Sequence, residues 1–538
     1  MHESSHSARQ FSGLAGILGR GIQVAVAAVL LVSCVGCPQS PPVVRPEPRK
    51  PEPERRSLAD LANQEDGSDS NDSEEGSSTA PVKETSLADL LLSDEDKALL
   101  QQNAPNIESL VFEAPNVDEQ QTAAQGIRKL TGKYVTIYTD LPESPAVSEL
   151  PDAFDAAVPL WCKYFDVEED AVKGWHMTGY LVKDKAKHQA AGLFYGNLPE
   201  FLNGYQRGLE FWVYEQESDY YRRHLLLHEG VHGFMMYVLK GSGPPWYSEG
   251  MAEFLATHKW DGRKIEVGVM PDRKEDFPYW GRIKILQDEY AAGRGLMIRE
   301  VMRYDRTAHL RIEPYAWSWA AVAFLDGHPL YRSKFRLLRT KVQDNTALFT
   351  RDFEESMTDG LRELDEQWQL FVVGADFGYD LRRNAVQYAV GAPIPEGGRS
   401  VAVTSDRGWQ STGLRMEAGK TYRVLAKGRF LVRQRPQKWW SEAGGITLEY
   451  VNKLPLGMLV GNIRLDEPLP GTSNLAVPIP IGLNRRIVAA GNGTLYLKIN
   501  DHPGALGDNS GQLTVKVVEE DPNSDTPQNP EAPLTTSI

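Results

Sequence analysis

The pattern of apolar and polar positions separates a mixed helical and strand region from an all-β region further along the chain. Alternating segments rich in β-branched and aromatic residues predict three strands, at 133–139, 175–182 and 208–215. Apolar residues recur at helical spacing in further segments, which we predict as helices: 146–165, 221–240, 276–293, 315–325 and 353–371. We therefore expect a small sheet followed by a mostly helical region.

The pattern changes near residue 399, where helical spacing gives way to short alternating segments separated by Gly, Pro and Asn. The clearest predicted strands are 421–426, 445–451, 457–463, 494–499 and 512–518. Short strands with regular turns are typical of a β-sandwich. The predicted fold class is α+β, with a first domain over 101–397 and an all-β sandwich over 398–521.

The two ends of the chain predict export and tethering. Arg9 and Arg20 precede an apolar run at 22–32, which is too short for a permanent membrane helix and indicates a targeting segment. Leu31-Val32-Ser33-Cys34 closes it and resembles a bacterial lipobox. The resemblance implies a signal over 1–37, lipid modification of Cys34, and a lipid-anchored protein of the bacterial cell envelope. Modification at Cys37 and ordinary secretion are the alternatives.

Composition limits the remaining possibilities. Residues 38–100, rich first in Pro and then in Ser, Asp and Glu, predict a disordered tether, and 522–538 a disordered tail. The formal net charge is -15, without the basic stripe that nucleic-acid binding requires. Of three cysteines, only Cys162 lies in the folded part, within an apolar segment that predicts a buried, inert thiol and no disulfide framework.

The richest chemistry lies on the predicted helix 221–240. His228 and His232 are four residues apart, so both imidazoles project from one face and can bind one Zn²⁺. Glu229 lies at the edge of that site, where it can take a proton from a metal-bound water. A second helix, predicted to begin near Ser248, would supply Glu249 as the third ligand.

This pair of segments, His228-Glu229-Gly230-Val231-His232 followed by Glu249-Gly250-Met251-Ala252-Glu253, resembles the gluzincin metallopeptidases. The resemblance implies that His228, His232 and Glu249 bind zinc and that Glu229 is the general base. Glu253, one turn after Glu249, would accept a hydrogen bond from a ligand histidine. The alternative is coincidental placement of these residues on an exposed face, or a decayed site.

Other residues of this region have weaker claims. His224 precedes His228 by one turn, and we expect it to be either a partly buried residue or a residue that supports the ligands, rather than a ligand itself. His258 is expected at the end of the second helix, interacting with its dipole. Related enzymes stabilise the oxyanion with a Tyr or His, which makes Tyr315 the candidate and His309 a weaker one; an ordinary core aromatic is the alternative for Tyr315. By the same resemblance, 208–215 would form the edge of the cleft; a plain strand of the sheet is the alternative.

The distinctive feature of the β-region is the loop 500–511, Asn-Asp-His-Pro-Gly-Ala-Leu-Gly-Asp-Asn-Ser-Gly. Its bunched oxygen-bearing side chains suit a hard cation such as Ca²⁺. It resembles the calcium loop of LecA-type galactose-binding lectins. The resemblance implies calcium ligation by Asp501, Asp508 and Asn509 through side chains and by Ala505 through its carbonyl. A structural Asp/Asn/Gly turn is the alternative.

The sequence departs from these galactose-binding lectins in the segment that would contact the sugar. After Trp439 the chain continues as Trp440-Ser441-Glu442-Ala443-Gly444-Gly445, which is shorter than the sugar-contacting loop of the lectins. Trp439 and Trp440 could stack on a sugar ring, although paired tryptophans in a sandwich more often belong to the core.

These features give three hypotheses. The first is an exported, lipid-anchored zinc metallopeptidase acting on a peptide or protein substrate, with a carbohydrate-binding accessory domain. The second is a carbohydrate- or surface-binding lipoprotein with an inactive peptidase-like domain. The third is a hydrolase of the same zinc chemistry that cuts a non-peptide amide. The intact Glu229 favours the first over the second.

Overall fold

A computed structural model describes residues 113–520, except 197, 306, 307, 309, 310, 469 and 470. The predictions for the targeting segment, Cys34 and Cys37, the tether, His309 and the tail lie outside the described residues. Among the helices that are described, none is both long and apolar enough to cross a bilayer.

A five-stranded mixed sheet forms one side of the first region, in the order β1-β2-β3-β5-β4. Strands β2, β3 and β5 run parallel, and the outer strands β1 and β4 are antiparallel to their neighbours. The strand bounds are β1 Arg128–Thr131, β2 Val135–Thr139, β3 Met177–Val182, β4 Gly204–Arg207 and β5 Glu210–Tyr214. Every residue of β2 and β3 is buried, as expected for inner strands that are covered on both faces.

Helices cover this sheet and form most of the region that follows it. In chain order they are α1 Glu119–Ala124, α2 Pro145–Ser148, α3 Leu150–Phe165, α4 Lys185–Ala190, α5 Asp219–Phe234, α6 Pro245–Ala256, α7 Arg282–Ala291, α8 Ile298–Val301, α9 Glu313–Gly327, α10 Arg332–Leu337, α11 Ala347–Ser356, α12 Leu361–Val373 and α13 Leu381–Asn384. A small hairpin, β6 His258–Trp260 and β7 Ile265–Val267, follows α6. Cys162 of α3 is buried and free, as predicted.

Three predicted helices differ from the observed ones. The segment 146–165 is two helices, because Pro151 has no N–H with which to continue the hydrogen-bond ladder from α2. The segment 353–371 is also two helices, α11 and α12, separated by a 3₁₀ turn at Thr358–Gly360. Helix α7 begins at Arg282 rather than near 276, because Tyr279 and Gly281 adopt positive φ angles that no α-helix contains.

Helices α5, α6 and α9 pack together at the centre of this region. Ser218 caps α5, its Oγ accepting the N–H of Tyr221 at 3.0 Å. Gly250 allows the close approach of α6 and α9, because an added Cβ would lie 2.6 Å from the Ser318 carbonyl oxygen. The glycine that follows Glu249 in the sequence motif therefore has a packing role.

The C-terminal region is all-β and has its own apolar core. One sheet has the order β16-β10-β18-β8, a second has the order β13-β14-β17-β9 with β15 beside β14, and β11 pairs with β12. The strands are β8 Arg399–Thr404, β9 Gln410–Met416, β10 Thr421–Lys427, β11 Phe430–Arg433, β12 Trp439–Ser441, β13 Gly444–Val451, β14 Leu454–Leu465, β15 Ile479–Pro480, β16 Asn484–Val488, β17 Gly493–Ile499 and β18 Gln512–Glu520. Alternate residues of β18 (Leu513, Val515 and Val517) are fully buried, as expected for a strand of a sandwich.

Candidate functional site

The structure brings His228, His232 and Glu249 together. His228 Nε2 lies 3.1 Å from His232 Nε2, and Glu249 Oε2 lies 3.4 Å from each of these nitrogens. Ligands about 2.0–2.1 Å from a tetrahedral Zn²⁺ are separated from one another by roughly 3.3 Å. The three donor atoms therefore have the mutual spacing of three corners of a zinc tetrahedron, and their mixture of two imidazoles and one carboxylate suits that metal.

Two helices create this convergence. His228 and His232 lie on consecutive turns of α5, and Glu249 lies in the first half of α6, whose start is favoured by Pro245 in its first turn. A π-helical turn at Met235–Leu239 ends α5, and Lys240 adopts a positive φ of 61°. The chain can then reverse direction and return α6 past α5.

Glu229 is 5% exposed and faces the edge strand β4. An added Cβ on Gly204 would lie 2.3 Å from Glu229 Oε1, so the carboxylate lies directly against the strand backbone. Burial raises the pKa of Glu229, and the positive charge of His228 and His232 opposes that shift. A carboxylate with a raised pKa beside a metal site is suited to accepting and returning a proton.

Glu253 is completely buried behind the three donor atoms. Its Oε1 lies 3.3 Å from His228 Nδ1, on the side of the imidazole opposite Nε2. Arg282 donates two hydrogen bonds to the same carboxylate, at 2.8 and 2.9 Å, and His224 Nε2 lies 3.2 Å from Oε2. Burial alone would raise the pKa of Glu253, but Arg282 and His224 hold it well below its usual range.

The carboxylate of Glu249 is also held in its charged form. Burial would raise its pKa, but His232 and His228 lower it. These two glutamates therefore offer negative charge to a cation from two directions. Glu249 supplies it at the metal position and Glu253 through the His228 ring.

Two neighbouring histidines were predicted to lie outside the set of ligands. His224 is fully buried rather than partly buried, and it contacts Glu253, the partner of a proposed ligand, as the other expectation for it had it; its Nδ1 hydrogen-bonds the Ala256 carbonyl at 3.0 Å. His258 does not cap α6. It is buried in β6, where Nδ1 contacts the Ala256 carbonyl at 2.8 Å and Nε2 accepts a hydrogen bond from Arg223 Nε at 2.8 Å. Burial and Arg223 lower the pKa of His258 to about 3, so it is neutral and cannot interact with the dipole as a cation.

Of the two alternatives for the segment 208–215, the structure agrees with a plain sheet strand and not with the edge of the cleft. Within the segment 208–215, β5 (Glu210–Tyr214) is an inner strand paired on both sides, with β3 and with β4. The outer strand at this end of the sheet is β4 (Gly204–Arg207), the strand that lies against Glu229. The segment 204–207 has no alternation that predicts a strand, so the sequence did not reveal the true edge.

Tyr315 lies in the first turn of α9, close to the three donor atoms. Its ring centroid lies 6.0 Å from that of His228, and the Arg282 guanidinium lies 5.8 Å from the Tyr315 ring. Burial and the nearby carboxylates of Glu249 and Glu229 raise the pKa of its hydroxyl. Tyr315 therefore stays protonated and is able to donate a hydrogen bond.

The loop 500–511 contains a second group of oxygen atoms. Asn509 Nδ2 donates to Asp501 Oδ2 at 2.8 Å, and Asp508 Oδ2 accepts the N–H of Gln434 at 2.9 Å. The buried Oδ1 of Asn509 has no hydrogen-bond partner within the described part of the chain. Burial, with a smaller contribution from Asp508, raises the pKa of Asp501. An unpaired buried oxygen beside a buried carboxylate fits a cation such as Ca²⁺.

The same loop contacts the region before the sandwich. The Pro503 carbonyl accepts hydrogen bonds from Asn384 Nδ2 at 2.8 Å and from the Asp380 N–H at 3.3 Å. Close by, Arg383 Nη1 donates to Asp406 Oδ2 at 2.8 Å. The backbone of the predicted calcium loop is therefore anchored to α13 and the residue that caps it.

The two tryptophans differ in exposure. Trp439 is partly buried against the sandwich core, with the Arg433 guanidinium 4.4 Å from its ring centroid. Trp440 is 47% exposed, so the expectation that both belong to the core is wrong for Trp440. Alternation along β12 explains the difference, since adjacent residues of a strand point to opposite faces.

The sandwich and its loop define a lectin-like domain at the C-terminal end of the chain. Residues 398–522 match the family model described as PA-IL-like protein. Lectin A of Photorhabdus laumondii is 30% identical over 121 residues, which are 22% of this chain and 89% of that protein. Through this domain, the chain belongs to the PA-IL-like family.

Two solved structures are also similar to parts of the chain. One, described as an EclA N-terminal domain and PllA-like lectin, is 21% identical and covers 22% of this chain and 95% of its own length, with a TM-score of 0.18. The other, the metallopeptidase IMPa in complex with T-antigen, is 9% identical and covers 74% of this chain and 44% of its own length, with a TM-score of 0.14. Scores this low carry no argument about fold or activity.

Sequence reasoning missed two residues of the site, Arg282 and Gly204. Arg282 is 29 positions beyond Glu253, and no spacing rule connects them. Gly204 lies 25 positions before Glu229 in a segment that gave no strand prediction. The only available signal was the glycine itself, since an isolated glycine in a strand can indicate close approach of another group.

Proposed function

We propose that the chain is a zinc-dependent metallopeptidase with a carbohydrate-binding accessory domain. One observation carries the enzymatic part. Nitrogen and oxygen donors of His228, His232 and Glu249 are separated by 3.1–3.4 Å, with the buried carboxylate of Glu229 beside them. Three protein ligands leave one zinc position open, which distinguishes catalytic zinc sites from structural ones.

The roles of the residues follow from their positions. When bound there, Zn²⁺ would polarise the carbonyl of the scissile bond and lower the pKa of a water molecule. Glu229 would accept the proton of that water and return it to the leaving amine. Tyr315, kept protonated by its surroundings, would donate a hydrogen bond to the developing oxyanion.

The edge strand β4 supports a peptide rather than a small molecule as substrate. Its outer edge is unpaired within the described residues, and Gly204 places its backbone against Glu229. An extended peptide can add to such an edge by main-chain hydrogen bonds. A peptide bound there would lie next to Glu229 regardless of its sequence, because the contacts are made by its main chain.

The accessory domain is proposed to bind a carbohydrate with the help of Ca²⁺. Asp501, Asp508 and Asn509 would bind calcium through side chains, and Ala505 through its carbonyl. Family membership of residues 398–522 and the name of the 30% identical relative, Lectin A, support this part. The exposed ring of Trp440 is available for stacking on a sugar.

Export and lipid attachment through Cys34 complete the proposal, on the resemblance of 31–34 to a lipobox. The peptidase would then act in the cell envelope on peptides or proteins near carbohydrate. Conversion of Cys34 to Ser, followed by mass analysis of the N-terminal peptide and membrane fractionation, tests this part independently of the enzyme.

The variant Glu229→Gln tests the enzymatic proposal most specifically, because it removes the proton acceptor while preserving size. We expect it to retain zinc and to lose peptidase activity by at least 10²-fold on a mixed peptide library. Full activity in a zinc-loaded Glu229→Gln protein would disprove the general-base role. Zinc binding without hydrolysis by the wild-type chain would favour a carbohydrate-binding protein with an inactive peptidase-like domain.

A further inference from the structure

We infer that Arg282 is a positioning residue for the metal centre: through Glu253 it fixes the orientation of His228. This inference rests on the proposed zinc site and goes beyond it, because Arg282 contacts none of the three proposed ligands by a hydrogen bond. Arg282 is 6% exposed and is the first residue of α7, outside both helices of the metal motif.

The contact between Arg282 and Glu253 is bidentate. Arg282 Nη2 donates to Glu253 Oε1 at 2.8 Å, and Arg282 Nε donates to Oε2 at 2.9 Å. Two parallel hydrogen bonds between a guanidinium and a carboxylate fix the plane of the carboxylate as well as its position. Glu253 has no exposed surface, so the guanidinium also compensates a charge that water cannot reach.

The plane of that carboxylate determines which atom faces His228. Glu253 Oε1, the oxygen bound by Arg282 Nη2, lies 3.3 Å from His228 Nδ1. Partners of the second ring nitrogen set the tautomer and direction of metal-binding histidines, and their loss typically lowers metal affinity by about 10–100-fold. Arg282 therefore acts on the metal position in two steps: a bidentate hydrogen bond to the carboxylate, and the 3.3 Å approach of that carboxylate to the imidazole.

The backbone around Arg282 contains features that are locally unfavourable. A cation in the first turn of a helix opposes the helix dipole, and Gly281 provides no side-chain cap for α7. Tyr279 adopts a φ of 65°, a region that bulky residues rarely enter. The loop is fixed by Ser218, whose Oγ donates to the Pro278 carbonyl at 3.0 Å. Unfavourable backbone features of this kind concentrate at functional sites. Here they place the Arg282 side chain against Glu253.

Arg282 also lies next to the proposed oxyanion donor. Its guanidinium is 5.8 Å from the ring centroid of Tyr315, and its Nη2 lies 3.4 Å from the Tyr221 hydroxyl. One buried guanidinium thus borders both halves of the proposed catalytic machinery. The bidentate pair therefore compensates the buried charge of Glu253 and also fixes the plane of the carboxylate that faces His228.

The test measures zinc affinity of the full chain by competition with a chelator. The variants are Arg282→Met, Arg282→Lys and, as the matched control, Arg273→Met, which removes an exposed arginine paired with Asp276. We expect zinc affinity to fall about 10–100-fold in Arg282→Met, to fall less in Arg282→Lys, and to stay unchanged in Arg273→Met. Equal affinity of wild type and both Arg282 variants would overturn the inference.

Two further measurements separate positioning from general destabilisation. If Arg282 acts through Glu253, Arg282→Met should weaken zinc binding by less than about 3-fold when added to Glu253→Gln, whereas independent effects would multiply. The visible spectrum of the Co²⁺-loaded protein should also change in Arg282→Lys even at metal saturation. If the Co²⁺ spectrum does not change and the effects of Arg282→Met and Glu253→Gln on zinc affinity multiply, Arg282 has only a structural role. Failure of the wild-type chain to bind zinc would instead disprove the proposed function.

Discussion

The backbone of Gly204 and the carboxylate of Glu229 lie so close that a single methyl group would not fit between them. A Cβ on residue 204 would lie 2.3 Å from Glu229 Oε1, well inside van der Waals contact. An edge strand of the sheet and the proposed general base therefore constrain each other. This contact links the fold of the first region to its proposed chemistry.

Gly204→Ala should lower peptidase activity by at least 10-fold with little loss of zinc, because the three atoms nearest the added methyl group all belong to Glu229, which is not one of the proposed metal ligands. The measurement is kcat/KM together with metal content. Gly196→Ala is the control, since its added Cβ would meet nothing within 4 Å. Wild-type kcat/KM in Gly204→Ala would show that Glu229 does not need its observed position.

Tyr315→Phe should lower kcat by about 10²-fold while zinc content stays at the wild-type level. The hydroxyl would be needed when negative charge develops on the substrate oxygen, so its removal raises the barrier rather than weakening ground-state binding. KM should therefore change much less than kcat. A large rise in KM with unchanged kcat would assign Tyr315 to substrate binding instead.

Stability should fall in acid partly because of His258. In the folded protein, burial and Arg223 lower its pKa to about 3, whereas an unfolded histidine titrates near about 6.5. Between these values the unfolded chain binds the additional proton, so the free energy of unfolding decreases as pH falls from about 6.5 toward 3. At pH 5, protonation of the unfolded histidine lowers the free energy of unfolding by about 2 kcal/mol relative to its value well above pH 6.5.

The variant His258→Gln isolates this effect. It should lose less thermal stability between pH 7 and pH 5 than the wild type does, when Tm is measured at both values. His502→Gln, which changes an exposed histidine, serves as the control and should keep the wild-type difference. An identical pH difference in His258→Gln and wild type would contradict the assignment.

Calcium should stabilise the sandwich and lose that effect when Asp508 is changed. Ca²⁺ would offset the buried charge of Asp501 and occupy the unpaired Asn509 oxygen, so about 1 mM Ca²⁺ should raise Tm by several degrees. Asp508→Ala should abolish the rise, and Asp359→Asn, at an exposed position in the 3₁₀ turn, should keep it. If neither added calcium nor a chelator changes Tm, the alternative that the loop is a structural Asp/Asn/Gly turn would be favoured.

The sequence predicted the parts of the site that depend on short spacing. Residues His228 and His232 on one helix and Glu249 on the next are near in the chain, and the observed donor separations match that expectation. The predicted helix bounds were wrong where the backbone adopts positive φ angles that the sequence does not indicate, as at Tyr279. The edge of the sheet was misplaced because strand order depends on pairing between distant segments, and alternation within one strand carries no such information.

The contacts of buried polar residues were the least predictable. His224, His258 and Arg282 are all fully or nearly buried, although charged and polar residues usually lie at the surface. Each is accommodated by a partner far along the chain: Glu253 for His224 and Arg282, and Arg223 for His258. Resemblance to a family predicted the lectin-like domain at 398–521, and the family model matches residues 398–522. This was possible because the loop motif is contiguous in the sequence, whereas Arg282 and its partners are far apart in the chain.

Elemental analysis of bound metal is the most direct test of the central claim that His228, His232 and Glu249 form a zinc site. The wild-type chain and the variants His232→Ala and Glu249→Ala would be compared after equal exposure to zinc, with His176→Ala as a control outside the site. We predict one zinc per wild-type and control chain and loss of zinc in both ligand variants. Wild-type protein without zinc, or ligand variants that retain it, would contradict the account.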